Sequence, residues 1–109
     1  MIRDLGYYKY MVDDRLSNKE DLIDTHCHLE MEQFAPDRDE VIKRAKEAGI
    51  GTMITIGSDL KGNTGGLELA RKYDMIYCAV GFHPHDAKDF TEGIFDRVKA
   101  WAEFPRFQR

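Results

Sequence analysis

From residue 22 onward the chain switches repeatedly between two hydrophobic periods, and the switches mark out six elements. The apolar start Leu22-Ile23 predicts a first strand over about Leu22 to Thr25. Pro36 and Asp37 then announce a helix, with Glu40 three residues beyond Asp37 in the capping-box position, where its side chain can reach an unpaired backbone N–H. Val41, Ile42, Ala45 and Ala48 share one face of that helix, and Gly49 ends it. Thr52 to Ile56 reads as a second strand closed by Gly57. Leu67, Ala70 and Tyr73 predict a second helix, entered through a glycine-rich loop, Gly62-Asn63-Thr64-Gly65-Gly66. A third strand is predicted over Met75 to Val80, and a third helix from about Thr91 to Glu103 on the spacing of Ile94, Phe95, Val98, Trp101 and Ala102.

The order β-α-β-α-β-α with nearly continuous apolar strands predicts an α/β fold, a parallel sheet whose faces are covered by helices. Parallel strands end on one side of the sheet, where α/β proteins build their sites. His26 and His28, Gly57-Ser58-Asp59, and His83-Pro84-His85 each follow a strand, so all three are expected at that rim. Residues 1–20 fall outside the pattern. They are polar, carry Tyr7, Tyr8 and Tyr10, and offer only a weak helical stripe of Leu5, Tyr8, Val12 and Leu16. The expected organisation is an amino-terminal extension over 1–20, an α/β domain over 21–103 and an atypical tail over 104–109.

Composition narrows the classes. Hydrophobic residues make up 42% and charged residues 33% of 109, the balance of an ordinary soluble domain. The longest apolar run, Met75 to Val80, falls far short of the ~18 residues a membrane helix needs. The start Met1-Ile2-Arg3-Asp4 has no signal-peptide pattern, and two cysteines without framework spacing suit a reducing compartment, so a cytoplasmic location is expected. A net charge of −4 gives no basic footprint for non-specific binding to nucleic acid, although bound cations reverse the local sign.

The candidate chemistry sits in the histidines. In an extended strand alternate side chains share a face, so His26 and His28 project together while Cys27 turns away. Such a pair is half of a metal site, favoured here over two hydrogen-bonded structural histidines, and neutral imidazole suits zinc, manganese, iron or cobalt. Asp24 shares their face and has two readings, orienting a histidine or bonding backbone at the strand end. His83 and His85 flank a proline that stiffens the turn. Either they are solvated turn residues, or His83, and less directly His85, reaches a substrate phosphate or a metal-bound water. Ser58, Asp59 and Gly62, Gly65 and Gly66 read as a plain loop, since no lysine follows to make a phosphate-binding loop. Cys27 and Cys78 read as small core residues, and Glu30, Glu32 and Gln33 as a solvated loop.

Over residues 22–103 the chain resembles the amino-terminal part of the TatD-type metal-dependent hydrolases, a branch of the amidohydrolase superfamily. The resemblance is carried by Ile23-Asp24-Thr25-His26-Cys27-His28-Leu29, by Phe34 with Asp37, and by Ala48-Gly49-Ile50 leading into Ile54-Thr55-Ile56-Gly57-Ser58. The nearest match is Ala79-Val80-Gly81-Phe82-His83-Pro84-His85-Asp86-Ala87. It implies the first three βα units of a TIM-type (β/α)8 barrel, built around one or two divalent metals (zinc, manganese or magnesium). It also implies deoxyribonuclease-like hydrolysis of DNA or other phosphodiesters, with His26 and His28 as metal ligands and His83 as an active-site histidine at the phosphate. Asp24 and His85 are possible substrate or supporting contacts.

The family's later acidic and histidine ligands have no counterpart here, and Phe104-Pro105-Arg106-Phe107-Gln108-Arg109 departs from its fourth strand, reading as a truncation. Three strands cannot close an eight-stranded barrel, so an inactive fragment that self-associates through exposed sheet edges, or pairs with another chain, is a competing expectation. A third is cleavage of C–N or C–O bonds, chemistry also found in the amidohydrolase superfamily.

Overall fold

The computed structural model describes residues 22–103. The expected extension at 1–20 and tail at 104–109 lie outside the described residues. Within them the order is β1 (Leu22–Cys27), α1 (Arg38–Glu47), β2 (Ile50–Ile56), α2 (Leu60–Lys72), β3 (Ile76–Ala79) and α3 (Glu92–Ala102). Short 3-10 turns at Glu32–Phe34 and Pro84–Asp89 interrupt the loops after β1 and β3. The strands form one sheet in the order β1-β2-β3, parallel throughout, as the alternating pattern requires.

The core lies between one sheet face and the helices α1 and α2. Leu29, Ile42, Met53, Leu69 and Ile76 are buried together there, with Val41, Ala45, Ile50 and Tyr73 packed around them. Burial along β2 and β3 therefore alternates: Met53, Thr55, Ile76 and Cys78 are buried, while Ile54, Ile56 and Tyr77 are only half-buried. On β1, Ile23 is 60% exposed. The near-continuous apolar strands had predicted cover on both faces. Among the described residues only one face has it, and the second keeps the aliphatic surface that a barrel interior would use.

The helix boundaries follow local chemistry. The α1 chain ends through Gly49, whose φ of 109° is the one left-handed backbone among the described residues, so the glycine there answers a conformational need. The predicted glycine loop at 62–66 is instead helix. Asp59 caps α2 by accepting the Gly62 N–H at 2.6 Å, and the helix starts at Leu60. Its glycines answer to packing rather than to turn geometry: a Cβ on Gly66 would meet Cys78 Sγ at 2.6 Å. Thr91 caps α3 by accepting the Ile94 N–H at 3.3 Å. The apolar face of α3 finds less cover than expected, with no residue buried and Phe95 55% exposed. β3 is the last strand of the sheet, and beyond it the described residues offer no further strand for that face. No described helix is long and apolar enough to cross a membrane.

Candidate metal centre

His26 and His28 stand at the carboxyl end of β1, and their ring centroids are 5.2 Å apart in an edge-to-face arrangement. The strand pairing explains the local geometry. Asp24 pairs with Met53 and Cys27 with Thr55, so β1 carries one extra residue across this interval. That bulge takes the His26 N–H out of the ladder. The Asp24 carboxylate accepts it at 3.0 Å. Of the two readings of Asp24, the structure shows the backbone bond, which fixes the main chain under His26. The His26 ring is exposed.

His28 is held more firmly. Its Nδ1 lies 3.0 Å from the Ile56 carbonyl oxygen and 3.3 Å from Glu30 Oε1. A carbonyl oxygen can only accept, so Nδ1 carries the proton and the neutral ring keeps its lone pair on Nε2. That is the form in which an imidazole binds a metal.

His83 takes the opposite tautomer. Its Nδ1 accepts the His85 N–H at 3.1 Å, so in the neutral ring the proton sits on Nε2, a hydrogen-bond donor. The His85 ring packs edge-to-face on it at 4.7 Å. The main chain of His83 is tied to the end of β2, its N–H donating to the Ser58 carbonyl at 2.8 Å. His28 bonds to Ile56 and His83 to Ser58, two residues apart on one chain. This brings the two histidine motifs to a single rim.

Asn63, Arg38 and Glu30, to which the sequence assigned no part in the site, build this rim together with Gly57. Asn63, fully buried, donates from Nδ2 to the Asp59 and Gly81 carbonyls, each at 2.7 Å, and accepts the Gly81 N–H at 3.0 Å. Gly57 must be a glycine because a Cβ there would run into the Asn63 side chain. Arg38 gathers the loop after β1, donating from Nε to the Leu29 carbonyl at 2.7 Å and from Nη2 to the Met31 carbonyl at 3.0 Å. Glu30, expected in a solvated loop, is buried: its side chain is 3% exposed and Oε2 accepts from Thr55 Oγ1 at 2.5 Å. The available signal was the glycine spacing of α2, legible only once that segment is known to be helical.

Both cysteines are free, and neither is poised as a nucleophile. Burial, reinforced by the charge of Asp24, pushes the Cys27 thiol up to about 11. Burial, with the charge of Glu30, pushes Cys78 up to about 12. A thiol raised that far is scarcely ionised at neutral pH, whereas a few per cent of a free cysteine is thiolate. Alkylation of the folded chain at pH 7 is therefore expected to be slower than that of free cysteine by two orders of magnitude or more, becoming fast in denaturant. Rapid labelling of either residue in the folded protein would contradict these surroundings.

As a donor set, the site offers two imidazoles. Among the described residues no group of three His, Cys, Asp or Glu side chains comes together to hold a metal. The pair fits zinc or another first-row ion in donor type, His28 also in tautomer, and falls short of the three protein ligands of a catalytic zinc centre. A shallow hollow of about 420 Å³ lined by Lys46, Ile50, Gly51 and Met75 lies at the amino ends of β2 and β3 and contains none of the histidines.

The TatD-related DNase family model matches residues 23–108. Over 71 residues the chain is 45% identical to the uncharacterized metal-dependent hydrolase YabD of Bacillus subtilis, covering 65% of this chain and 28% of the relative. It is 34% identical over 84 residues to the 3'-5' ssDNA/RNA exonuclease TatD of Salmonella typhimurium, covering 77% of this chain and 32% of that one. The crystal structure of a TatD homologue from Escherichia coli K12 superposes with a TM-score of 0.69 at 27% identity, over 82% of this chain and 34% of that structure. The chain thus spans about a third of the length of the curated relatives it matches.

Proposed function

Since the chain belongs to the TatD-related DNase family, we propose that it carries the first metal ligands and a phosphate-binding histidine of a hydrolase acting on nucleic-acid phosphodiesters. The observation that carries this reading is the pair of opposite tautomers on one rim. His28 presents an unprotonated Nε2 to a cation, whereas His83 presents an N–H to an anion. A divalent ion at such a site supplies Lewis acidity toward water and toward a phosphoryl oxygen. The protein's own part is positional. Asp24 and the bulge set His26, the Ile56 carbonyl accepts from His28 Nδ1, and the Ser58 carbonyl and Asn63 hold the strand-to-turn segment that carries His83. His85 shields one edge of His83, and its backbone N–H keeps the His83 proton on Nε2.

Two imidazoles bind a divalent ion weakly, so the 109-residue chain is expected to take up zinc or manganese with modest affinity and to show little turnover. Metal titration should reveal binding that His26→Ala or His28→Ala weakens by ten-fold or more, while His83→Ala leaves metal binding unchanged and weakens binding of a single-stranded oligonucleotide. Metal binding indifferent to both ligand substitutions would overturn the assignment. Whatever residual turnover the chain shows, compared across phosphodiester, amide and lactone substrates, separates the phosphodiesterase reading from C–N or C–O hydrolysis. The uncovered sheet face, with Ile23 60% exposed, favours one further reading, in which the chain pairs with another polypeptide or with itself. Sedimentation of the purified chain as a monomer across concentrations would sink that reading.

A further inference from the structure

Glu30 is a buried acid to which the proposed reaction assigns no part. It lies against α2: a Cβ on Gly62 would lie 3.7 Å from Glu30 Cγ, and one on Gly65 would lie 3.4 Å from Glu30 Cβ, both ordinary contact distances. Those glycines are three residues apart and share a helix face. Each weakens the helix that contains it, and together they leave a bare strip of backbone against which the acid fits. The main chain of the loop is clamped as well, since the Arg38 guanidinium bonds the carbonyls on either side of Glu30. The carboxyl group is thus fixed at both oxygens. Oε2 takes the Thr55 hydroxyl at 2.5 Å, and Thr55 is itself fully buried. Oε1 lies 3.3 Å from His28 Nδ1, whose proton also faces the Ile56 carbonyl at 3.0 Å.

We infer that Glu30 is a positioning residue for metal binding: with the Ile56 carbonyl it holds the Nδ1–H of His28 and so keeps Nε2 as the ligating atom. A second acceptor on that proton raises the electron density at Nε2 and resists rotation of the ring, effects that partners behind a ligating histidine exert on metal affinity. The inference rests on the proposed ligation by His28. Its effect on the ring can nevertheless be read with no metal present.

The test uses the full 109-residue chain with histidine labelled with nitrogen-15. Proton–nitrogen spectra of the metal-free protein report which ring nitrogen of His28 is protonated, and zinc alone, titrated against a chromophoric chelator, reports affinity. Wild type is expected to show the Nδ1–H form. Glu30→Met, similar in length but without an acceptor, should let the Nε2–H form appear and weaken zinc binding on the order of 10- to 100-fold. Glu30→Gln, which retains an acceptor oxygen, should restore the Nδ1–H form and recover part of the affinity, a rescue that a merely space-filling role would not produce. If Glu30→Met does not unfold cooperatively, Glu30→Asp, one methylene short of His28, takes its place with the same expectation. An unchanged tautomer together with zinc affinity within two-fold of wild type would overturn the inference. Failure of wild type to bind zinc at all would instead remove the ligation reading, while the metal-free spectra still decide whether Glu30 orients the ring.

Discussion

Asn63→Ala is expected to destabilise the protein by about 2–4 kcal/mol and to loosen the segment carrying His83. The residue is fully buried and its side chain makes three hydrogen bonds, two of them to the single residue Gly81. Truncation leaves the N–H and the carbonyl of half-buried Gly81 without this partner, and a group left unsatisfied away from water costs about 1–3 kcal/mol. The Asp59 carbonyl also loses the amide at 2.7 Å, although it keeps the Asn63 backbone N–H at 2.9 Å. A small domain holds only about 5–15 kcal/mol in total, so this loss is a large share of it. Urea unfolding should show the shift. Hydrogen exchange should show it locally, as faster exchange at Gly81 and at His83, whose N–H to Ser58 depends on the same strand ends staying together. Asn63→Asp is no remedy. It retains an acceptor for the Gly81 N–H but turns an oxygen toward two carbonyls that need a donor. A variant as stable as wild type, with unchanged exchange at His83, would mean that Asn63 does not hold the rim.

Gly66→Ala is expected to cost about 1–3 kcal/mol, against the rule that alanine stabilises a helix interior. The intrinsic preference favours alanine by about 1 kcal/mol. Packing opposes it, because the added Cβ would stand 2.6 Å from Cys78 Sγ and 3.2 Å from Thr55 Cγ2, both on buried residues beneath α2. Overpacking of this kind forces side chains or backbone to move at about 1–3 kcal/mol. The cause is separable by a double-mutant cycle. Removing the sulfur in Gly66→Ala/Cys78→Ala should restore much of the loss, giving a coupling of about 1 kcal/mol or more between the two sites. Gly93→Ala is the control, since a Cβ at Gly93 meets only Thr91 Oγ1, at 3.9 Å, and should be neutral or stabilising. Additive effects at Gly66 and Cys78 would place the cost elsewhere than this contact.

These two sites also show where reading along the chain succeeds and where it stops. The three strands and the helices at 38–47 and 92–102 were legible because their apolar positions recur at their own period. The segment at 62–66 was misread as a loop because glycine is both a turn former and the residue of close approach, and local composition cannot separate the two. Glu30 was misplaced for a related reason: an acid three residues past a strand is usually solvated, and here α2 packs against it at Gly62 and Gly65, more than thirty positions away. The candidate site divides in the same way. That His26, His28 and His83 lie at or just past the ends of strands was visible in the sequence. Which nitrogen each ring offers was not.

The amino-acid order by itself determined the succession of strands and helices, their parallel arrangement and the placing of both histidine pairs at strand ends. Those follow from hydrophobic period and chain direction, which are properties of neighbours in sequence. Only the tertiary structure decided the tautomers of His28 and His83, the burial of Glu30 and the anchoring of Gly81 by Asn63. All but the His83 tautomer, which the N–H of His85 in the same turn sets, depend on a donor, an acceptor or an empty space contributed by another element. A hydrogen bond is directional over about 3 Å, so no pattern along the chain specifies it until folding has brought the partners within that distance.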